Sequence, residues 1–340
     1  MIIKNQNKYL VFWLLLITSL VVLMIVVGGL TRLTDSGLSI TKWDLFKGII
    51  PPLSYNDWNI AFSLYKKIPE YTIINPTMTV DEFKVIYWWE YAHRLLGRVI
   101  GIFYILPLLF FSFKKKFNTK NLVSLYFIFF LICVQGFIGW YMVSSGLSDR
   151  TDVSHYRLSI HLTVAFIILV MLVWNILVLN KLQFHSFKKP LSFFPLIFLI
   201  LILIQISVGA LVSGLDAGQI YQSWPLMGNN YIPNDTNLSD FLNIGLFQVP
   251  SIVQFIHRNL AYFIFLFFLY IFYLTIINKN AFHLKSIVLI VLFFLLLQIF
   301  LGILTILSGA QIILASIHQI GSIFLVISST VLIYKNSTIK

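Results

Sequence analysis

Glu90-Tyr91-Ala92-His93-Arg94-Leu95-Leu96-Gly97-Arg98 puts a carboxylate, an imidazole and two guanidiniums at the mouth of a long apolar run. On a helix Glu90, His93 and Arg94 share one face. Tyr104 to Phe113 continue the segment without a charge. The polar cluster therefore caps a membrane-spanning helix, where an ionisable group either reaches for headgroups or does chemistry inside the bundle.

Of the 340 residues 59% are apolar and 11% charged, a composition that excludes a water-soluble domain of this size. Apolar runs of roughly 20 residues predict eight spans. They fall at about 10–30, 88–113, 121–143, 157–179, 191–213, 252–277, 285–307 and 312–334. The expected fold is an all-α integral membrane protein.

The net charge of +12 does not point to nucleic acid, because its distribution follows topology. Lys4, Lys8, Lys114, Lys115, Lys116, Lys120, Lys181, Lys188, Lys189, Lys279, Lys285, Lys335 and Lys340 fall in alternate segments that hold no acid. All twelve acids lie in the other set. This positive-inside pattern places both termini in the cytoplasm. The first run is too long for a signal-peptide core and lacks a small-x-small cleavage site after Val27, so it reads as a retained helix. A single cysteine, Cys133, excludes an intrachain disulfide and a cysteine-based metal site.

The chain repeats itself. An offset of 181 carries Gly28, Asp35, Gly37, Trp43 and Pro52 onto Gly209, Asp216, Gly218, Trp224 and Pro233. At 164, Glu90, His93 and Arg94 fall on Gln254, His257 and Arg258. At 163, Gln135 and Gly139 fall on Gln298 and Gly302, and at 157 His161 falls on His318. The predicted architecture is two tandem pseudo-symmetric four-helix bundles, residues 1–185 and 186–340, in parallel orientation. The long outer segment after the first helix, including Asp57 to Lys84, is expected to lie over the first half as a lid.

Of seven histidines, His155, His185 and His283 read as solvated loop residues. His93, His161, His257 and His318 each fall in the first turns of an even-numbered span, two per half and at one depth. A pair of imidazoles from two helices of a four-helix bundle is a usual means of holding a haem iron from both faces. Zinc fits less well, since neither pair has a thiolate to complete a tetrahedral set. Arg94 and Arg258 suit either haem propionates or lipid phosphate. Gly28, Gly29, Gly136, Gly139, Gly209 and Gly302 read as sites of close helix approach. The halves differ where Glu90 becomes Gln254. A carboxylate near a haem edge can stabilise positive charge or move a proton, and an amide cannot; the same carboxylate is spaced for an ion pair with Arg94.

These motifs resemble haem A synthase, a membrane family, over essentially the whole chain. The residues that carry the resemblance are Trp89 to Arg98, Gly28-Gly29-Leu30-Thr31-Arg32-Leu33-Thr34-Asp35-Ser36-Gly37-Leu38, Ile160-His161-Leu162 and Phe255-Ile256-His257-Arg258. The resemblance implies oxidation of a ring methyl of haem O to a formyl group, with water as oxygen source, to give haem A for terminal oxidases. It implies that His93 and His161 hold the substrate haem O, that His257 and His318 ligate a resident haem b, and that Glu90 sits at the substrate edge. It also implies a bacterial inner-membrane location, an electron acceptor, and association with haem O synthase or oxidase assembly factors. The chain is similar to the branch without cysteine pairs in its outer loops. A dihaem cytochrome b shuttling electrons from quinol, and a transporter with histidine proton relays, are the competing readings. The transporter expects ionisable or broken helices at mid-membrane, whereas only Pro107 and Pro195 interrupt the spans at depth.

Overall fold

The computed structural model describes residues 2–44, 47–116, 119–148, 150–180, 184–185 and 190–339. Lys181, Lys188, Lys189 and Lys340 of the charge map lie outside the described residues, as does residue 186 at the expected boundary between halves. Among the described residues eight helices are long and apolar enough to cross a membrane. They are α1 (Ile2–Leu33), α3 (Val80–Phe113), α4 (Thr119–Ser144), α5 (His155–Leu179), α6 (Phe194–Gly214), α7 (Pro250–Ile277), α8 (Lys285–Leu307) and α9 (Ile312–Asn336). A ninth helix, α2 (Tyr55–Tyr65), lies in the first outer segment. Phe184–His185 pairs with Thr338–Ile339 as a two-residue antiparallel ribbon, β1 with β2.

Helix α1 packs on α3 and α5, and α4 touches both α3 and α5, which closes a ring of four. Helices α6, α7, α8 and α9 close a second ring by the same neighbour scheme. The rings meet where α1 and α5 lie against α6 and α9. Lipid tails are as apolar as leucine, so dispersion and close fit hold these interfaces rather than exclusion of water. Leu14, Ile17, Tyr104, Leu108, Phe166, Leu169, Phe198, Phe268, Val291 and Val326 form one continuous core. On every span the core residues lie toward the end remote from the histidines, so the histidines share one layer near the loops that follow α1 and α6.

Two sequence expectations are corrected. Helix α3 begins at Val80, well before the apolar run, because Thr79 and Glu82 form a reciprocal capping box. His93 therefore sits several turns inside its helix, unlike His161, His257 and His318, which lie in early turns. Pro195 is not deep in a span. It occupies the first turn of α6, where a missing N–H costs nothing; Pro107 is the helix-interior proline.

The first outer segment folds onto the outer end of α3. Ser54 and Asp57 cap α2 reciprocally, and Phe62, Tyr65 and Ile68 join Leu38, Phe83, Ile86, Tyr87, Met142 and Val153 in a second apolar cluster. Trp58 packs edge-on to Tyr87 at 5.0 Å. The segment expected as a lid, Asp57 to Lys84, packs against α3 through this cluster.

Candidate functional site

The first half brings Glu90, His93, Arg94 and His161 together beneath that segment. The rings of His93 and His161 stand 6.3 Å apart at their centroids and nearly perpendicular, at 82°. An imidazole nitrogen lies roughly 2 Å from a metal it ligates and about 1 Å from its own ring centre, so two imidazoles across one metal have centroids about 6 Å apart. The pair has that spacing. In the second half His257 and His318 occupy the positions that repeat His93 and His161. Nδ1 of His161, His257 and His318 is buried without a hydrogen-bond partner. Among the described residues no three His, Cys, Asp or Glu side chains converge as a protein-only metal cage. The donor set thus suits a planar group that supplies its own equatorial ligands, held through paired axial imidazoles.

Each of these rings rests on a glycine. A methyl group at Gly139, Gly209 or Gly302 would lie 3.1, 3.0 and 3.1 Å from Cε1 of His161, His257 and His318 respectively. At Gly28 the nearest atom is Nε2 of His93, at 3.2 Å. Gly29 instead lies under the amide of Gln319. Gly136, expected as a close-approach site, meets no atom within 4 Å and is exposed.

Glu90 is buried, 2% exposed, and its carboxylate is fully engaged. Arg94 donates to Oε1 at 2.5 Å, and the Ser39 hydroxyl and Ile40 N–H donate to Oε2, each at 2.7 Å. The ion pair expected from spacing is present, and two neutral donors add to it. Arg94 also donates to the Ile40 and Lys42 carbonyls and lies over the Trp43 ring.

The second half repeats this frame with the polarity reversed at one position. Tyr221 is the repeat counterpart of Ile40, and Arg258 donates to its carbonyl at 2.9 Å as Arg94 does to that of Ile40. Gln254, however, donates to the Tyr221 carbonyl at 3.1 Å, where Glu90 accepts from the Ile40 N–H. Gln254 is as buried as Glu90, at 1%. Arg258 also reaches the Leu226 carbonyl. Nε of Arg94 and Nε of Arg258 are both buried without a partner, so each guanidinium keeps one donor unused. Burial also argues against headgroup snorkelling for either arginine.

Several residues were not singled out from the sequence. Gln135, Gln205 and Gln298 donate to the backbone carbonyls of His161, His257 and His318 at 2.8, 2.9 and 3.1 Å. Gln205 also stands 3.3 Å from Nε2 of His257. Arg32, 9% exposed, pairs with Asp35, Asp152 and Asp216 at 2.7, 3.1 and 3.0 Å, and donates to the Ser213 carbonyl at 2.8 Å. Glu70 is buried beside Tyr65, whose hydroxyl donates to it at 2.9 Å. Desolvation pushes the Glu70 carboxyl up to about 8, opposed by the Tyr65 hydrogen bond and reinforced by the negative charges of Glu90, Asp152 and Asp35. His155 is corrected: it is buried rather than solvated, because its backbone and Cβ pack against Gly214 of α6. His283 is exposed, as expected, while His185 lies in the short ribbon.

The chain is similar to known proteins over nearly its whole length. "Heme A synthase" of Pelagibacter ubique (strain HTCC1062) is 53% identical over 338 residues, 98% of each chain. "Heme A synthase" of Rickettsia bellii (strain RML369-C) is 44% identical over 346 residues, 98% of this chain and 99% of its own. That of Azorhizobium caulinodans is 41% identical over 322 residues, 94% and 91% of the two chains. Residues 11–330 match the COX15-CtaA family, described as cytochrome oxidase assembly protein, and with eight spans and relatives matched over nearly their whole length this chain belongs to that family.

Proposed function

We propose that this chain is a haem A synthase: a multi-pass membrane oxidoreductase that converts a ring methyl of haem O into the formyl group of haem A. The observation that carries the reading is the pairing of a repeated histidine frame with one unrepeated carboxylate, Glu90 against Gln254. The full-length relatives that bear the name support it.

In this reading residues 1–185 form the substrate half, with His93 and His161 as axial ligands of haem O. Residues 186–340 form the cofactor half, with His257 and His318 holding haem b. The two closed helix rings support that division. Haem b, held by His257 and His318, would supply one-electron acceptor chemistry for the reaction. Glu90 holds negative charge where the substrate methyl carbon becomes electron-poor. Arg94, Ser39 and Ile40 hold that carboxylate in place, each donating to one of its two oxygens. Arg94 and Arg258 direct their remaining Nε donors toward haem propionates. The inner membrane, cytoplasmic termini and contact with haem O synthase or oxidase assembly factors complete the proposal. The dihaem cytochrome leaves the Glu90–Gln254 difference without a use and is not favoured.

The test is extraction and chromatography of the haems bound to purified protein after co-expression with a haem O source. Wild-type protein is expected to carry haem B with haem A, and Glu90→Gln to carry haem B with haem O or a hydroxylated intermediate. Two equivalents of haem B in both proteins overturn the reading.

A further inference from the structure

The histidines are not held alike. On α4, α6 and α8 a glutamine and a glycine stand four residues apart: Gln135 and Gly139, Gln205 and Gly209, Gln298 and Gly302. At this spacing both project to one helix face. In each case the glutamine side chain donates to the backbone carbonyl of the histidine on the following helix, and the glycine lies under that histidine's ring. The clasp grips main chain and side chain together. It meets all three rings in the same pose, with Cε1 nearest the glycine and Nδ1 unpartnered. Ligand histidines are ordinarily oriented by a hydrogen bond at the nitrogen away from the metal. Here the clasp takes over that task.

His93 also rests on a glycine, Gly28, but lacks the glutamine and presents its ring differently. The position on α1 equivalent to Gln205 is Met24, four residues before Gly28. Met24 offers no donor, and its methyl group packs toward Gly97 of α3, one turn beyond His93. Among the described residues no side chain is hydrogen-bonded to the His93 carbonyl. Its ring is turned so that Nε2 is nearest Gly28. A resident group is best served by two fixed ligands, and the cofactor half has two. A substrate that must enter and leave needs one ligand that lets go, and the substrate half has one clasped ligand and one unclasped.

We infer that Met24 in place of the clasp glutamine makes His93 the releasing axial ligand, so that substrate and product exchange on the His93 side while His161 stays fixed. This rests on the proposal that the four histidines ligate haem. Met24, Gln135, Gln205 and Gln298 are then positioning residues.

The test compares Met24→Gln, Met24→Leu and Gln205→Met in purified protein loaded with haem, following transfer of each haem to apomyoglobin. Met24→Gln is expected to slow release from the substrate half roughly tenfold, the scale on which groups behind a metal ligand act. Met24→Leu, which keeps the volume without the amide, is expected to release as the wild type does. Gln205→Met is expected to speed haem b release by a similar factor and to shift its low-spin resonance signature. Unchanged release in both Met24→Gln and Gln205→Met overturns the inference. If a variant is poorly folded, the His257→Gly background gives a second reading. Added imidazole should then bind the haem b iron more weakly with Gly209→Ala than with Gly136→Ala, and equal binding overturns the clasp. Should His93→Gly and His257→Gly leave both haems bound with wild-type spectra, the ligation reading itself fails. If they lose haem while the clasp variants behave as wild type, the clasp alone fails.

Discussion

Ile40 donates its backbone N–H to the carboxylate of Glu90 at 2.7 Å, joining the loop that follows α1 to the first half of α3. Its repeat counterpart, Tyr221, presents a carbonyl to Gln254 instead. The outer loops of the two halves have thus diverged together with the residue they contact. Gln254→Glu should therefore not install a second reaction centre. The new carboxylate would face the Tyr221 carbonyl, and loss of the amide donor in a buried site costs about 1–3 kcal/mol. Thermal unfolding in detergent should fall accordingly, while haem analysis shows no oxidation of haem b.

Gly29→Ala should disrupt the contact between halves. A methyl group there would lie 1.9 Å from Oε1 of Gln319, whose amide donates to the Ile25 carbonyl at 2.8 Å. The side chain must swing away and lose that bond, a cost of about 1–3 kcal/mol. Gln319→Ala removes the obstruction. The double variant should be more stable than Gly29→Ala alone, a non-additive result that a double-mutant cycle reads directly.

Glu70 should make the outer segment sensitive to pH. Its folded-state carboxyl titrates near 8 against an ordinary value of 4.5, so the folded form holds its proton longer than the unfolded one. Stability should be greatest below about pH 4.5 and decline as pH rises toward 8, the direction expected when folding raises an acid's pKa. Facing it are Tyr65 from α2, Glu90 from α3, and Asp35 and Asp152 from adjoining loops. Hydrogen exchange of residues 55–75 should quicken over that interval, and Glu70→Gln should flatten the profile.

Arg32→Ala should cost less than its burial suggests. Its partners Asp35 and Asp216 have side chains 73% and 60% exposed, and Asp152 is 39% exposed, so water takes over much of the solvation when the guanidinium is removed. A loss of about 1–2 kcal/mol is expected, against the 3–5 kcal/mol typical when a fully buried pair is broken. Thermal unfolding of Arg32→Ala and Arg32→Lys tests this.

The spans, the repeat and the layer of four histidines were legible because hydropathy and residue identity state them directly. His93 and Glu90 were visible as an offset match that changed acid to amide. The clasp was visible only in part. Gln135 and Gly139 match Gln298 and Gly302 along the repeat, but Gln205 lies on α6, which repeats α1 rather than α4. Its likeness to the other two is spatial. Arg32 and Glu70 escaped because an arginine at a helix end and a glutamate in a polar loop look solvated, and only the fold of the outer segments buries them. The start of α3 was missed because Thr79 and Glu82 build a helix end from polar residues that a hydropathy reading passes over.

The arginine at the junction bears on how such a chain could have arisen. Arg32 donates to the carbonyl of Ser213, the residue 181 positions on that is its own repeat counterpart. In a dimer of two identical halves the interface would be isologous, and every contact across the twofold axis would occur twice. Two arginines would then crowd the place now held by one, beside acids drawn from both halves. Joining the copies in a single polypeptide removes that constraint. One copy could keep the arginine and the other a serine, and the same freedom let one copy keep a glutamate while the other took a glutamine.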